Sequence, residues 1–355
     1  MTNHERVKAV IHRTELDHVP FLQYDGLAAP NEAVWAQVGR ENVGIIRWSA
    51  VHRLEAPNCR TDTIRTTRDG LTISESTLAT PAGTLTQVQH RDPQSGAYFP
   101  VRRFVNEEAD YAVLTAYLHD IQVVEDFDRF RKDQAELGDD GLAMVTLERT
   151  PYQQMWVRWV GLETLSFHLA DCPDAVENCV LLWTDVCRRV YEVIEKAIET
   201  LDVDYVNFPD NIAAPVIGRR YFGRYCVPLY REVASMLEAH GLPLFSHMDG
   251  ELGPLRESIA GSGVRGIDSF TPEPDTENRV DGALDWWPDT RLLVNFPSSV
   301  HLSSTEAVEE TAADLLEQGG HSGQLALQIS EDIPPEAWKT SFPAIIRAID
   351  DFGRP

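Results

Sequence analysis

Eight short apolar runs alternate with longer amphipathic patterns along almost the whole chain, and this alternation limits the fold more than any other feature. The runs begin near residues 19, 43, 142, 203, 242, 264, 291 and 324. Apolar runs of four to eight residues are too short for helices and predict buried strands. Strands that alternate with helices predict a parallel sheet. Eight such units predict an α/β fold, the closed (β/α)8 or TIM barrel.

An open, doubly wound sheet is the alternative architecture for the same alternation. That fold commonly carries a glycine-rich phosphate loop, but neither GxGxxG nor GxxxxGK[ST] follows any of the runs. The chain also has no low-complexity segment, no repeat of fixed period and no linker-like stretch. We therefore predict a single barrel domain over residues 1–355.

Residues 60–104 interrupt the strand–helix alternation. They are rich in threonine, alternate polar with apolar residues, and contain turn signals at Asp69-Gly70 and Ala82-Gly83. This pattern predicts antiparallel β-hairpins inserted into the barrel. Such an insertion could cover a pocket or form a dimer surface, so a homodimer is one expectation.

The charge balance excludes some classes of partner. The chain has 31 basic and 56 acidic side chains, a formal charge of −25. A chain this acidic repels nucleic acids and anionic membranes. No apolar run approaches the roughly 20 residues needed to span a bilayer, the start does not resemble a signal peptide, and the five cysteines form no CxxC pair. We therefore expect a cytoplasmic protein with a small-molecule substrate.

Polar residues follow the apolar runs, most clearly in GLPLFSHMDGE, where His247, Asp249 and Glu251 come directly after Leu242–Phe245. In (β/α)8 barrels the carboxyl ends of the strands carry the chemistry. The residues expected at this face are Tyr24, Asp25, Glu148, Arg149, Asp210, Asn211, His247, Asp249, Glu273, Asn295, His301, Glu331 and Asp332. Carboxylates packed together require a cation, a shared proton or a cationic substrate. A single aspartate at a strand end can instead cap the next helix, which is the alternative for Asp210 and Asp249.

A zinc site would use His247 with Asp249 or Glu331 and would keep one position open. On an extended strand, His-x-Asp places both side chains on the same face. The alternative is that His247 is only a hydrogen-bonded histidine in the pocket. Arg47 lies inside an apolar run and needs a partner, so we expect either a structural ion pair or a hook for a substrate anion.

Several segments resemble, in order, the uroporphyrinogen decarboxylase-like superfamily. ERVKAVIHRTELDHVPF resembles its opening, and TLATPAGTLTQ resembles its TP-x-GTL hairpin. FGRYCVPLYREVASMLEAHGLPLFSHMDGELGPL resembles its long helix and the strand ending in His-x-Cys/Asp-Gly, while LQISEDIPPEAW stands where relatives have a final strand followed by Gly-Cys. The resemblance covers about residues 5–350. It implies a (β/α)8 barrel with one of two activities: decarboxylation of uroporphyrinogen, or methyl transfer involving a corrinoid protein and usually zinc.

The chain departs from both branches of this superfamily. The decarboxylases carry an arginine-rich segment after the first strand, but this chain has no arginine between Arg13 and Arg40. An acidic pocket does not suit an octacarboxylate, so uroporphyrinogen is not the expected substrate. Thiol-activating methyltransferases bind zinc through His-x-Cys and a later Cys, and these cysteines correspond to Asp249 and Glu331 here. Oxygen ligands donate less charge than thiolates, which argues against thiol activation more than against methyl transfer.

The resemblance therefore favours the corrinoid-linked methyltransferase and demethylase branch. It implies methyl transfer from a small methoxy or methylamine compound, with zinc and a separate corrinoid protein. Expected catalytic residues are His247, Asp249, Glu148 and Asp210, and expected metal ligands are His247, Asp249 and Glu331. Expected substrate-binding residues are Tyr24, Asp25, Arg47, Arg149, Asn211, Glu273, Asn295 and His301. The alternatives are a metal-independent decarboxylase of a small acid, and a binding protein without catalytic activity.

Overall fold

The predicted (β/α)8 barrel is confirmed by the computed structural model, which describes residues 1–93 and 96–353. Eight parallel strands form a closed barrel: β1 (Phe21–Tyr24), β2 (Gly44–Ser49), β3 (Gly141–Thr146), β4 (Val206–Phe208), β5 (Leu244–His247), β6 (Gly266–Phe270), β7 (Arg291–Asn295) and β8 (Leu325–Ile329). Each strand pairs with the next one in this order, and β8 pairs with β1. The apolar runs located all eight strands because each has a largely buried backbone.

Helices connect these strands along the chain. Their bounds are Asn3–His12, Asn31–Val38, Asp110–Asp120, Phe127–Leu137, Pro151–Gln154, Leu162–Asp171, Pro173–Thr200, Ala214–Tyr221, Val227–Glu238, Arg256–Ala260, Val280–Trp286, Thr305–Gly319 and Trp338–Phe352. Short 3-10 helices cover Arg40–Asn42, Gly138–Asp140, Gly253–Leu255, Ser298–Leu302 and Gly320–Ser322. Across residues 1–93 and 96–353, no helix is both long enough and apolar enough to cross a membrane.

Two helices predicted as continuous contain a π-helical turn, at Met155–Trp159 and Phe222–Cys226. The second turn ends two residues before Pro228, which cannot donate a backbone hydrogen bond to the preceding turn. A wider turn is a common answer to such a missing bond. The sequence pattern continues through both turns, so periodicity alone did not reveal them.

Alternation along the strands fills the barrel interior in layers. The inward-facing residues of the lower layers are apolar and pack together: Leu22, Ile46, Leu142, Met144, Tyr205, Phe245, Leu293 and Ala326. Successive side chains of a strand point to opposite faces, so the residue two positions further on also faces inward. On β5 this relation places His247 above Phe245, and on β1 it places Tyr24 above Leu22. On these two strands the layer at the carboxyl ends therefore carries polar side chains.

The chain divides into two compact units. All eight barrel strands belong to the first, the barrel unit, which comprises Met1–Val51, Asp126–Leu147 and the described chain from Glu195 onward. The second, the insertion unit, comprises His52–Glu125 and Glu148–Ile194. The prediction of a single domain over residues 1–355 remains a prediction.

The insertion unit contains the predicted hairpins. Its four-stranded antiparallel sheet is formed by Arg60–Arg68, Leu71–Thr80, Gly83–Arg91 and Tyr98–Arg102. Asp69 and Gly70 form the first turn with positive φ angles of 51° and 79°, as expected for a two-residue hairpin. The second turn lies at residues 81–82, one residue earlier than predicted. Residues 94 and 95 of the predicted 60–104 insertion lie outside the described ranges. A two-stranded sheet of His52–Glu55 and Gln122–Glu125 was not predicted.

Candidate metal centre

His247 ends β5 and points into the barrel mouth, where the residue is 7% exposed. Its two ring nitrogens have different surroundings. Nδ1 lies 3.0 Å from the Tyr24 hydroxyl and 3.5 Å from Oδ2 of Asp268. Nε2 lies 3.4 Å from Oε1 of Glu331 and 3.9 Å from Oδ2 of Asp249. The ring is therefore held on its Nδ1 side and faces two carboxylates on its Nε2 side.

Asp268 is the acceptor of the hydrogen bonds beside Nδ1 of His247. It lies on β6, directly opposite His247 in the ladder between β5 and β6, and it is fully buried. The Tyr24 hydroxyl donates to its Oδ2 at 2.5 Å, and Nδ2 of Asn207 donates to the same oxygen at 2.7 Å. A buried carboxylate requires such donors, because desolvation of its charge is costly. Because the Tyr24 hydroxyl donates to Asp268, its oxygen can accept from Nδ1 of His247.

His247, Asp249 and Glu331 form a group that could hold a metal ion. One ligand atom from each lies within 4.8 Å of the others. Zinc bonds of about 2.0–2.2 Å in a tetrahedral site place neighbouring ligand atoms roughly 3.3–3.6 Å apart. The separations of 3.4 and 3.9 Å from Nε2 are close to that range. One nitrogen and two oxygens fit zinc and leave a fourth position for a substrate or water.

Further hydrogen bonds orient both carboxylates. Oδ2 of Asp249 accepts from Nδ2 of Asn211 at 3.1 Å, and Oε1 of Glu331 accepts from the Ser269 hydroxyl at 3.1 Å. Ser269 has a φ of 63°, which is unusual for a residue other than glycine, and the register of β6 shifts beside it. Backbone strain of this kind collects at functional sites, and partners of this kind orient metal ligands.

Electrostatics favour a charged imidazole. Burial lowers the pKa of His247, but its hydrogen bonds to Asp268 and Glu331 and the charge of Asp249 more than offset burial and raise the pKa to about 10. Burial raises the pKa of Asp249, and the charge of Glu331 raises it further, whereas His247 lowers it. Burial also raises the pKa of Tyr24. A metal ion that binds Nε2 must displace a proton, so metal affinity should fall as the pH falls.

Aromatic rings line the mouth beside these polar groups. The Trp48 ring lies 5.3 Å from the Tyr24 ring and 6.1 Å from the His247 ring, measured between centroids. Trp48 follows Ile46 by two residues on β2, so both face inward. The mouth therefore combines an apolar wall with a carboxylate-rich centre, an arrangement typical of small-molecule sites.

Arg47 lies between these inward-facing residues and points to the outside of the barrel. Its guanidinium contacts Asp25 at 2.5 Å, Glu136 at 2.9 Å and Asp133 at 3.7 Å. This geometry corresponds to the structural ion pair, one of the two alternatives for Arg47. Asp25 is a member of the same network.

Asp210 and Asn295, two other predicted residues of the barrel unit, are buried and hydrogen-bonded to neighbouring residues. Asp210 accepts a hydrogen bond from the Tyr230 hydroxyl at 2.7 Å. Oδ1 of Asn295 accepts from the backbone and the hydroxyl of Ser330 at 3.0 and 3.1 Å. These bonds stabilise the strand ends, and the predicted catalytic or substrate-binding roles remain predictions.

His301 and Glu273 have contrasting surroundings. His301 lies in the 3-10 helix Ser298–Leu302, with Nδ1 2.7 Å from the Ser341 hydroxyl, and burial lowers its pKa to about 4. Glu273 is 57% exposed and lies 3.5 Å from Arg279. Their predicted role in substrate binding remains a prediction.

Glu148 and Arg149 belong to the insertion unit. Oε1 of Glu148 lies 3.0 Å from Nε2 of His52, and the backbone carbonyl of Arg149 accepts from the Trp183 indole at 3.1 Å. Their predicted catalytic and binding roles remain predictions.

Three residues of the site were not predicted from the sequence: Asp268, Asn207 and Trp48. A signal for Asp268 was present, because a carboxylate inside the apolar run VRGIDSF must have a buried partner. Asn207 stands in a similar position inside VDYVNF. Trp48 resembles any core aromatic residue and offered no comparable signal.

Comparison with known proteins gives a similar fold and no family. No protein-family model matches the chain, and no curated protein matches it. Among solved structures, a methyltransferase from Methanosarcina mazei matches with a TM-score of 0.60 and 14% identity over 99% of both chains. A chitinase from Chromobacterium violaceum matches with a TM-score of 0.40 and 10% identity over 93% of this chain and 98% of that chain, too weakly to support an argument. The chain therefore shares its fold, over its full length, with a methyltransferase.

Proposed function

We propose that this protein transfers a methyl group from a small methoxy or methylamine compound to a corrinoid protein or another acceptor. The observation that carries the proposal is the meeting of His247, Asp249 and Glu331 within 4.8 Å at the barrel mouth. The resemblance to corrinoid-linked methyltransferases and the full-length fold similarity to a methyltransferase support it. The choice of zinc and of a corrinoid acceptor rests on the resemblance.

In this proposal His247 Nε2, Asp249 and Glu331 hold a divalent metal ion, and zinc suits their donor set. Such an ion acts as a Lewis acid that polarises the oxygen or nitrogen from which the methyl group leaves. Asn211 and Ser269 keep the two carboxylates turned toward Nε2. The chain thereby supplies a fixed set of ligands before the substrate arrives.

The Nδ1 side of His247 determines how the ring is presented. Asp268 accepts from Tyr24, and the Tyr24 oxygen lies 3.0 Å from Nδ1, so the proton on Nδ1 is held there and Nε2 is the nitrogen whose proton a metal ion would displace. Trp48 and Tyr24 form the apolar side of the mouth. This wall suits a methyl-bearing substrate and limits the water around the leaving group.

The test combines metal analysis with a methyl-transfer assay. Protein purified without chelator is expected to contain about one divalent metal ion per chain and to methylate free cobalamin from a methoxy or methylamine donor. Glu331→Gln should lose both properties because a neutral amide is a poor metal ligand. Glu310→Gln removes one exposed acid from the helix Thr305–Gly319 and should keep both. Metal-free protein that methylates no cobalamin species would overturn the proposal.

A metal-independent decarboxylase is the second candidate. The raised pKa of Asp249 favours it, because burial increases the protonated fraction of this carboxyl group, and the protonated form is the one that acts as a general acid. The surrounding carboxylates of Asp268 and Glu331 disfavour it, because they repel an acidic substrate. Release of carbon dioxide from a small acid by chelator-treated protein, without cobalamin, would favour this candidate over methyl transfer.

A further inference from the structure

A second cavity of the barrel unit lies at the amino-terminal ends of the strands, opposite the mouth. Its volume is about 520 Å³. Arg265 directly precedes β6, Arg291 begins β7, and Arg231 comes from the helix Val227–Glu238. Three separate elements thus bring three guanidinium groups to one cavity.

Two of these arginines, Arg231 and Arg291, donate to backbone carbonyls. Nε of Arg231 donates to the carbonyl of Gly261 at 2.7 Å. Nε of Arg291 donates to the carbonyl of Ile11 at 2.7 Å, and its Nη1 donates to the carbonyl of Asp289 at 3.2 Å. In the part of the chain that the structure describes, none of the three arginines forms an ion pair with a carboxylate. With 56 acidic side chains in the protein, this is not explained by a shortage of carboxylates.

Like charges accumulate around Arg291. Burial lowers the pKa of Arg291, and the charges of Arg13 and Arg265 lower it further, to about 10, while Asp289 acts in the opposite direction. The ion pair of Asp289 is with Arg13, at 2.9 Å. The cavity therefore contains positive charge whose mutual repulsion a bound anion would relieve.

The acidic groups nearby do not cancel this charge. Glu238 is the carboxylate among the residues that line the cavity, and the lining imidazole of His12 is paired with Asp204 at 2.8 Å. The lining residues include three arginines and one glutamate, so their side chains carry a formal excess of two positive charges. A doubly charged oxyanion matches this excess better than a monocarboxylate does.

We propose that this cavity binds a phosphate-class oxyanion through Arg231, Arg265 and Arg291. The planar, forked guanidinium group binds phosphate oxygens in pairs and at short distance. The ligand is either inorganic phosphate or the phosphate group of a small metabolite. This site lies at the other end of the barrel from His247, so it stands independently of the proposed methyl transfer.

Isothermal titration of the full-length protein at constant ionic strength tests the proposal. Inorganic phosphate and ribose 5-phosphate are the probes, and potassium acetate is the control anion. We expect saturable binding of at least one phosphate probe. Arg265→Gln and Arg291→Gln should each weaken it about ten-fold or more, because each removes a charge-assisted hydrogen-bond donor. Arg347→Gln removes an exposed arginine paired with Glu309 and should leave the affinity unchanged.

Thermal unfolding separates a binding role from a structural one. Without ligand, Arg265→Gln should not lower the melting temperature, because it removes repulsion from Arg291. With phosphate, the wild type should be stabilised and this variant should not. Equal responses to both probes assign inorganic phosphate as the ligand, and a stronger response to ribose 5-phosphate assigns a phosphorylated metabolite. Phosphate binding no tighter than acetate binding, or unchanged in both variants, overturns the proposal.

Discussion

His247 and His301 are both buried in the barrel unit, at 7% and 2% exposure, but their rings have different partners. Around His247 stand the carboxylates of Asp268, Asp249 and Glu331. His301 has the hydroxyl of Ser341 and the rings of Phe296 and Phe342. The pKa of the first is raised to about 10, and that of the second is lowered to about 4.

Burial alone does not decide the charge or the role of a histidine. Burial favours the neutral imidazole at both positions. At His301 nothing opposes it strongly, so the ring is a neutral packing element with one hydrogen bond. At His247 the neighbouring carboxylates outweigh burial and favour the charged imidazole. Two of them, Asp249 and Glu331, form with His247 the group that could hold a metal. The partners, brought from β5, β6 and the end of β8, distinguish the two positions.

The largest effect is expected from His247→Ala. This change removes the nitrogen ligand, so zinc affinity should fall by more than about 100-fold. That is a larger effect than the loss of a group that only orients a ligand. Methyl transfer should become undetectable. Titration with zinc and the cobalamin assay measure both, with His119→Gln, an exposed histidine of the insertion unit, as the control. Unchanged zinc affinity in His247→Ala would contradict this expectation. His247 would then be, like His301, a buried histidine that binds no metal.

The pH dependence of stability should show the charged state of His247 in chelator-treated protein. Its folded pKa, about 10, lies above the ordinary histidine value of 6.5, so the folded state binds more protons between these values. The stabilisation is fully present below pH 6.5 and is lost as the pH rises through 10. We expect a loss on the order of 4 kcal/mol in the free energy of unfolding.

Denaturant titrations from pH 6 to 10 measure this loss, and His247→Ala isolates it from other titrating groups. The variant should show a much flatter alkaline decline than the wild type. Parallel declines in the two proteins would mean that His247 is not held charged by its carboxylates.

The fold was largely predictable from the sequence, for a physical reason. Barrel strands are buried by helices outside and side chains inside, so each leaves a short apolar run. Turn residues such as Asp69 and Gly70 marked the first hairpin. Features that depend on local hydrogen bonding, such as the π-helical turns and the two-stranded sheet, left no periodic signal.

The candidate metal centre was predictable only in part. His247, Asp249 and Glu331 follow strands, and the carboxyl ends of barrel strands meet at one face. Asp268 lies inside a strand, so a rule based on strand ends selected the later Glu273 instead. Its contact with His247 depends on the register between β5 and β6, which the sequence does not specify.

A smaller effect is expected from Asp268→Asn. The amide keeps the shape of the side chain but removes the charge that helps to raise the pKa of His247. That pKa should fall, and zinc affinity should fall about 10- to 100-fold, as for other groups that orient a metal-bound histidine. Histidine proton NMR of the chelator-treated variant measures the pKa, and calorimetry measures the affinity. An unchanged pKa together with unchanged affinity would remove Asp268 from the site.

The smallest effect is expected from His301→Gln, seen only in acid. The folded pKa of His301, about 4, lies below 6.5, so the unfolded chain binds more protons between these values and stability falls as the pH falls. At pH 5 this costs roughly 1–2 kcal/mol. Glutamine can still hydrogen-bond Ser341 but cannot be protonated, so the variant should lose less stability than the wild type between pH 7 and 5. Denaturant titrations at the two pH values measure the difference. An equal loss would mean that His301 takes up its proton in the folded state, and the contrast with His247 would then rest on metal binding alone.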